Sequence, residues 1–345
     1  MTKKRINLAL QGGGAHGAFT WGVLDRLLSD EDLEIASISG TSAGALNGAA
    51  LKAGMIEGGR EGARARLDWL WEEVGARPDM RIPEWMVPFS LSSVSRALEY
   101  SIPFMAADAW SRAVSPYALG GFYTNPLKPI VSQFNYDKVC AENSGGPCLF
   151  ICATKVRSGK VRVFKDSEIS TDVIMASACL PTIFQAVAVT DPETGLTDDY
   201  WDGGYTGNPA LFPLFNEALP EDIVIVNINP LERRETPRTA QGIQNRINEI
   251  SFNSSLLREL RAIDFVQRLL AAGKVKKGEM RRVLVHMIAD DPLMNELSVA
   301  TKLLPTPYTL ARLKQAGQRA ADDFLAAHRD ELNEQSSVDL VEMFQ

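Results

Sequence analysis

At 345 residues, with 45% hydrophobic and 23% charged side chains, the chain has the make-up of a folded, enzyme-sized protein and not of a disordered or fibrous one. A formal net charge of -7 and a pI near 5.2 exclude a dedicated nucleic-acid binder, which needs a concentrated basic face. Cys140, Cys148, Cys152 and Cys179 form no C-x-x-C pair and only three histidines are present, so no metal site is expected and the thiols suit a reducing compartment.

In chain order, Met1 to Arg5 followed by Ile6 to Leu10 imitates a signal peptide, but the apolar run stops after five residues at Gln11. An h-region needs roughly seven to fifteen. No apolar run reaches the ~18 residues that span a bilayer, so the expected location is cytoplasmic and any membrane contact peripheral. Ile6 to Leu10 reads as a strand closed by Gln11-Gly12-Gly13-Gly14. From Ala15 to Leu28 the spacing of Phe19, Val23, Leu24, Leu27 and Leu28 predicts a helix. Leu33 to Ile38 is a second strand running into Ser39-Gly40-Thr41-Ser42-Ala43-Gly44, and Ala45 to Ala53 is rich in helix formers. Two parallel strands with a crossover helix are the simplest arrangement.

Trp85 to Tyr123 differs in kind: it is aromatic, poorly charged and interrupted by Pro88, Pro103 and Pro116. It reads as a cap, either a lipid-facing lid around Trp110 or a helical insertion whose aromatics form their own core. Further strands are expected at Leu149 to Ala153, Val161 to Phe164, Val187 to Thr190, Ile223 to Ile228 and Val283 to Ile288, with helices over Gln241 to Ala272 and Ala311 to Leu325. This alternation implies an α/β fold with a mainly parallel central sheet flanked by helices. We expect one domain over residues 1–345, with a cap insertion at 83–123 and a C-terminal helical extension at about 290–345.

Gly40-Thr41-Ser42-Ala43-Gly44 is a G-x-S-x-G sequence between a predicted strand and a predicted helix. That context suits a nucleophilic serine on a tight strand-to-helix turn, where small neighbours admit a substrate and the helix start favours negative charge. The bland reading is a structural βα turn. Gly12-Gly13-Gly14-Ala15-His16-Gly17 fits the dinucleotide-binding pattern G-x-G-x-x-G, which would make the protein a nucleotide-dependent oxidoreductase. The second strand, however, ends in Ile38-Ser39-Gly40 without the acidic residue that holds a ribose. The other use of such a loop is an oxyanion hole of backbone N–H groups.

A serine nucleophile needs a base. His16 would crowd the glycine loop, His328 sits in a charged terminal helix, and His286, in a predicted strand, is the histidine that could complete a Ser-His-Asp triad. The alternative is a carboxylate: Asp202, after Tyr200-Trp201 and before Gly203-Gly204, although Asp-Gly is also an ordinary turn and Asp198 and Asp199 lie close by. With a pKa near 4 such a base is weak, and the oxyanion hole must carry much of the transition-state charge.

In combination and in this order, the glycine loop, the Ser42 turn and Asp202-Gly203-Gly204 resemble the signature of the patatin-like phospholipase family, and Ala176-Ser177-Ala178-Cys179-Leu180-Pro181 is similar to a further block packed near its site. The resemblance covers about Asn7 to Pro209. It implies a three-layer sandwich, a Ser42-Asp202 dyad, an oxyanion hole from Gly12, Gly13 and Gly14, no metal or other cofactor, and hydrolysis of acyl esters of lipids. His16 stands where many members carry Arg or Lys, so a fixed charge for a phosphate is not guaranteed at this place. Candidate substrates are phospholipids, lysophospholipids, neutral acyl esters and intracellular polyester oligomers; a silent lipid-binding module is the non-enzymatic rival.

Overall fold

The computed structural model describes residues 3–76, 90–139, 145–192, 194–233, 236–276 and 278–344. Trp85, Pro88 and Phe89, with which the expected cap begins, and Cys140 lie outside the described residues.

Strand alternation divides the interior into two cores. In β1 (Lys4–Leu10), Ile6, Leu8 and Leu10 join one apolar cluster while Ala9 joins the other. In β7 (Asp222–Asn227), Val224 and Val226 face the first cluster and Ile223 and Ile225 the second. A period of two thus buries both faces of the sheet, which demands helices on each side. The first face is covered by α1 (Gly17–Leu28), by α2 (Ala43–Val74), broken at Gly58-Gly59, and by α11 (Pro307–His328). The second is covered by α8 (Ala240–Ala271) through Leu256, Leu260 and Ile263, with α12 (Leu340–Met343) beside it. This is the three-layer sandwich.

Five strands, β3 (Cys148–Lys155), β2 (Leu33–Gly40), β1, β7 and β8 (Leu284–Ala289), are parallel in that order. The remaining three, β4 (Lys160–Lys165), β5 (Val187–Thr190) and β6 (Thr197–Asp202), are antiparallel to their neighbours. β6 was not expected from the sequence. Its Thr-Asp-Asp-Tyr-Trp-Asp run has no apolar majority, yet Tyr200 and Asp202 are its buried positions, in alternation.

The registers around β3 position the site. β4 pairs with Phe150 to Lys155 along one edge, so β2, which pairs with Cys148 to Ile151, must use the other. β6 pairs with Ala153 to Lys155 and therefore shares that second edge with β2. Where β2 leaves the sheet after Gly40, opposite Ile151, β6 arrives head-on and ends with Asp202 opposite Ala153.

Between α2 and β3 lie α3 (Leu91–Glu99), α4 (Ile102–Ala113), a 3-10 segment (Pro116–Phe122), α5 (Lys128–Val131) and α6 (Tyr136–Val139). α7 (Thr171–Ser177) leads from β4 towards β5, and α9 (Asp291–Glu296) and α10 (Val299–Leu303) join β8 to α11. Among the described residues no helix is long and apolar enough to cross a membrane.

The α1–α11 contact is backbone-close: a Cβ at Gly22 would stand 2.0 Å from Lys314 O, and one at Gly317 2.0 Å from Phe19 O. Gly317→Ala is expected to destabilise the protein by about 1–3 kcal/mol through overpacking. Chemical denaturation measures this, and an unchanged midpoint would show that the helices can part at no cost.

Candidate active site

Ser42 occupies the turn between β2 and α2 with φ 54° and ψ -120°, left-handed backbone that a non-glycine residue adopts only under constraint. Two side chains supply that constraint. Ser177, the last residue of α7, accepts a hydrogen bond from Ser42 N at 2.9 Å and donates to Cys152 O at 2.6 Å. Thr41 Oγ1 donates to Gly207 O at 2.6 Å. Glycine neighbours are required because the turn is packed against backbone: a Cβ at Gly44 would lie 2.1 Å from Leu10 O. α2 begins directly after Ser42, so its unpaired N–H groups and positive dipole end are at the serine.

Asp202 is fully buried beside this turn. Its main chain is fixed by Asp202 N donating to Cys179 O at 2.8 Å and by Thr154 Oγ1 donating to Asp202 O at 2.8 Å. The carboxyl Oδ1 accepts from Gly204 N at 2.8 Å. The Ser42 hydroxyl faces the carboxyl closely enough to steady its charge, yet outside ordinary hydrogen-bond geometry, which leaves Oδ2 without a partner among the described residues. Burial pushes the Asp202 carboxyl up to about 7, only partly offset by Gly204 N–H and the Ser42 hydroxyl. The sequence alone places this carboxyl near 4; burial moves it towards neutrality. Gly203 must be glycine, since a Cβ there would meet Cys152 O at 2.3 Å and Thr41 Cγ2 at 3.0 Å.

The glycine loop completes the group. A Cβ at Gly12 would touch Ser42 Cβ at 2.6 Å, which sets the loop directly against the serine turn. One of its three amides departs from expectation: Gly12 N donates to Asn208 Oδ1 at 2.7 Å, a buried bond that removes it from the open donors. The Gly13 and Gly14 amides donate to no described residue.

The three histidines are placed away from the role of base. His286 is buried on β8, three strands from β2, with Nε2 3.0 Å from Asp222 Oδ1 and Nδ1 3.0 Å from Ser337 Oγ, so it ties β7 to the C-terminal segment. This overturns the triad alternative. His16 is buried with Nε2 2.8 Å from Thr301 Oγ1 on α10, and burial, helped by Lys302 and Arg233, holds it well below the usual imidazole range and therefore neutral. His328 meets Glu331 at the end of α11. Two surface hollows, of about 520 Å³ between β8 and α11 and about 720 Å³ beside α12, contain neither Ser42 nor Asp202. No group of three or more metal-ligating side chains occurs among the described residues.

Ser177, Asn208 and Thr154 carry no sequence signal of their own that separates them from ordinary turn and strand residues, although Ser177 lies in a block singled out by resemblance. The same block holds both halves of the site: Ser177 on the serine turn and Cys179 O on Asp202 N.

A family model described as patatin-like phospholipase matches residues 8–215. No protein of curated function matches the sequence. Among solved structures, the chain is similar to VipD from Legionella pneumophila, with a TM-score of 0.42 and 14% identity over 94% of this chain and 67% of that one.

A buried carboxyl with a raised pKa binds its proton more tightly folded than unfolded, so its contribution to stability falls as pH rises from the unfolded value through about 7. Asp202→Asn removes that loss. Relative to wild type, its Tm is expected to be higher by several degrees at about pH 8.5 and much closer at about pH 5. Glu259, also raised to about 7 by burial, is common to both proteins and cancels in the comparison. A Tm difference independent of pH would place the Asp202 pKa back in the ordinary range.

Proposed function

Because the chain belongs to the patatin-like phospholipase family, which at family level makes it a lipid acyl hydrolase, we propose that it works as a serine esterase with Ser42 as nucleophile and Asp202 as sole general base. What supports this reading is the fully buried Asp202 carboxyl beside the Ser42 turn, whose Oδ2 has no partner among the described residues and whose charge the Ser42 hydroxyl helps to steady.

In this mechanism Asp202 takes the Ser42 proton as Oγ attacks the ester carbonyl carbon. The carbonyl electrons collapse onto oxygen, and the oxyanion is met by the Gly13 and Gly14 N–H groups and the positive end of α2. Re-formation of the carbonyl expels the alcohol, which leaves with the proton from Asp202, and Ser42 is acylated. A water molecule, deprotonated by the same carboxylate, attacks the acyl carbon; the second tetrahedral intermediate collapses, the C–Oγ bond breaks as Asp202 returns its proton to Ser42 Oγ, and the carboxylic acid is released. One base serves both halves because its pKa lies near the working pH.

Substrates are acyl lipids: phospholipids, lysophospholipids, neutral acyl esters or polyester oligomers. The neutral, buried His16 supplies no charge for a phosphate, which favours uncharged or weakly charged esters. A cytoplasmic setting suits the free thiols of Cys148, Cys152 and Cys179. Acyl chains are proposed to enter past the cap, where Trp110 is 62% exposed and where Tyr117 Oη and Tyr123 Oη accept from Ala186 N and Gln185 N of the segment that follows Cys179.

Fluorophosphonate labelling and a panel of acyl esters test the reading. Ser42→Ala is expected to abolish labelling, and Asp202→Asn to lower kcat by about 10³-fold or more, whereas His286→Gln keeps most of its activity. The wild-type kcat/KM should rise with pH and level off above about 7, since only ionised Asp202 can take the proton. Labelling that persists in Ser42→Ala would sink the proposal. Trp110→Ser should reduce activity on long acyl chains more than on short ones, and equal losses would argue against the cap as an acyl-chain contact.

A further inference from the structure

Gly13 is buried, and its amide donates to no described residue. Buried backbone N–H groups without partners are rare because each forfeits the hydrogen bond it had with water. This amide is left open to an acceptor from outside the protein, and what fixes its direction can be read from the neighbouring peptide group. In a planar trans peptide the carbonyl of one residue and the N–H of the next point in opposite directions. The Gly12 carbonyl accepts from Asn229 Nδ2 at 2.7 Å and from Asn208 Nδ2 at 3.4 Å. Held at that oxygen, the peptide cannot rotate, and the Gly13 N–H is turned away from Asn229.

Asn229 is in turn held on every side. Its Nδ2 also donates to Gln11 Oε1 at 3.2 Å, its main-chain N donates to the same oxygen at 3.0 Å, and its Oδ1 accepts from Lys302 Nζ at 3.3 Å. Asn253 Nδ2 caps the main-chain carbonyl of Asn229 at 3.2 Å. Lys302 is drawn to this place by Glu249, 3.5 Å away, which Arg233 and Arg246 also engage. Burial alone would raise the Glu249 carboxyl, but Arg233, Lys302 and Arg246 bring it below the usual range, so it stays ionised. The amide oxygen of Asn229 faces a cation and its NH₂ faces two acceptors, so the flipped orientation is excluded.

We propose that Asn229, fixed by Gln11 and Lys302, is a positioning residue of the oxyanion hole: by clamping the Gly12 carbonyl it aims the Gly13 N–H at the oxygen that becomes negative during acyl transfer. This rests on the Ser42 reading above. Asn229 touches neither substrate nor reacting atoms and acts through one peptide plane. Its effect belongs to the transition state, because the ground-state carbonyl oxygen is only a modest acceptor whereas the oxyanion is a strong one.

The test compares wild type, Ser42→Ala, Asn229→Asp, Asn229→Ala and Lys302→Met on a soluble short-chain acyl ester, with inhibition by a short alkyl trifluoromethyl ketone, whose adduct with serine carries an oxyanion. Asn229→Asp keeps the volume and the Lys302 contact but cannot donate to Gly12 O. It should lose roughly 10- to 100-fold in kcat and in ketone affinity alike, with KM within about twofold. Asn229→Ala should behave similarly, and Lys302→Met should move both quantities in the same direction by less. Wild-type kcat and ketone affinity in either Asn229 variant would overturn the proposal, as would a kcat loss with ketone affinity unchanged, the pattern of a merely structural role. Full activity in Ser42→Ala would instead overturn the reading of the site itself, and the inference with it.

Discussion

A single edge of β3 is shared by two strands that run towards each other, and the site follows from that. β2 covers the edge up to Ile151 and then turns away into α2; β6 covers it from Lys155 back to Ala153. In the gap between them the strand-to-helix turn after β2 and the end of the antiparallel β6 meet. Ser42 stands just past one end and Asp202 at the other. Neither residue depends on a long loop for its placement: β6 pairs with β3 up to Asp202 itself, and β2 pairs with β3 up to Gly40, two residues before Ser42.

The same arrangement accounts for the chemistry of the carboxyl. Where the two strand ends close over one edge the Asp202 carboxyl is fully buried, and burial raises the cost of ionising it. A more open site would solvate the carboxylate and return it to the ordinary range. Burial, left-handed backbone at Ser42 and an unpartnered Gly13 amide all work against stability, each by an amount on the order of 1–3 kcal/mol or more. They are concentrated within one turn of each other, and the surrounding bonds from Ser177, Thr41, Thr154 and Cys179 O are what keep that turn from relaxing.

Much of the framework could be read from residue spacing. The strands at Ile6 to Leu10, Leu33 to Ile38 and Ile223 to Ile228 are nearly continuous apolar runs, as strands buried on both faces must be, and their apolar limits lie within one or two residues of the strand ends. β6 was missed for the opposite reason. Four of its six residues are Asp or Thr, and only its buried Tyr200 and Asp202 betray alternation. Without β6, Asp202-Gly203 reads as an ordinary turn, and the shared edge that brings Asp202 beside the Ser42 turn is not legible. His286 illustrates a different limit. Its apolar surroundings favour a hydrogen-bonded core residue but leave a base open, and the position of β8, three strands away, decides between them.

The part of the chain after residue 215 lies beyond the family match, yet it reaches back to the glycine loop of the site. Asn229 follows β7, Glu249 and Asn253 lie on α8, and Lys302 lies on α10; through them three separate elements converge behind the Gly12 carbonyl. Gln11, buried at the end of β1, has its amide group shared between Asn229 and Asn253. If the chain stopped at the matched region, the Gln11 side chain and the Gly12 carbonyl would be left with buried polar atoms to satisfy, and the loop could swing to find partners. The glycine motif thus supplies freedom of approach, but not direction. Direction comes from a polar network assembled by sequence that carries no motif at all, which is why a signature-based reading places the loop correctly and still says nothing about what holds it still.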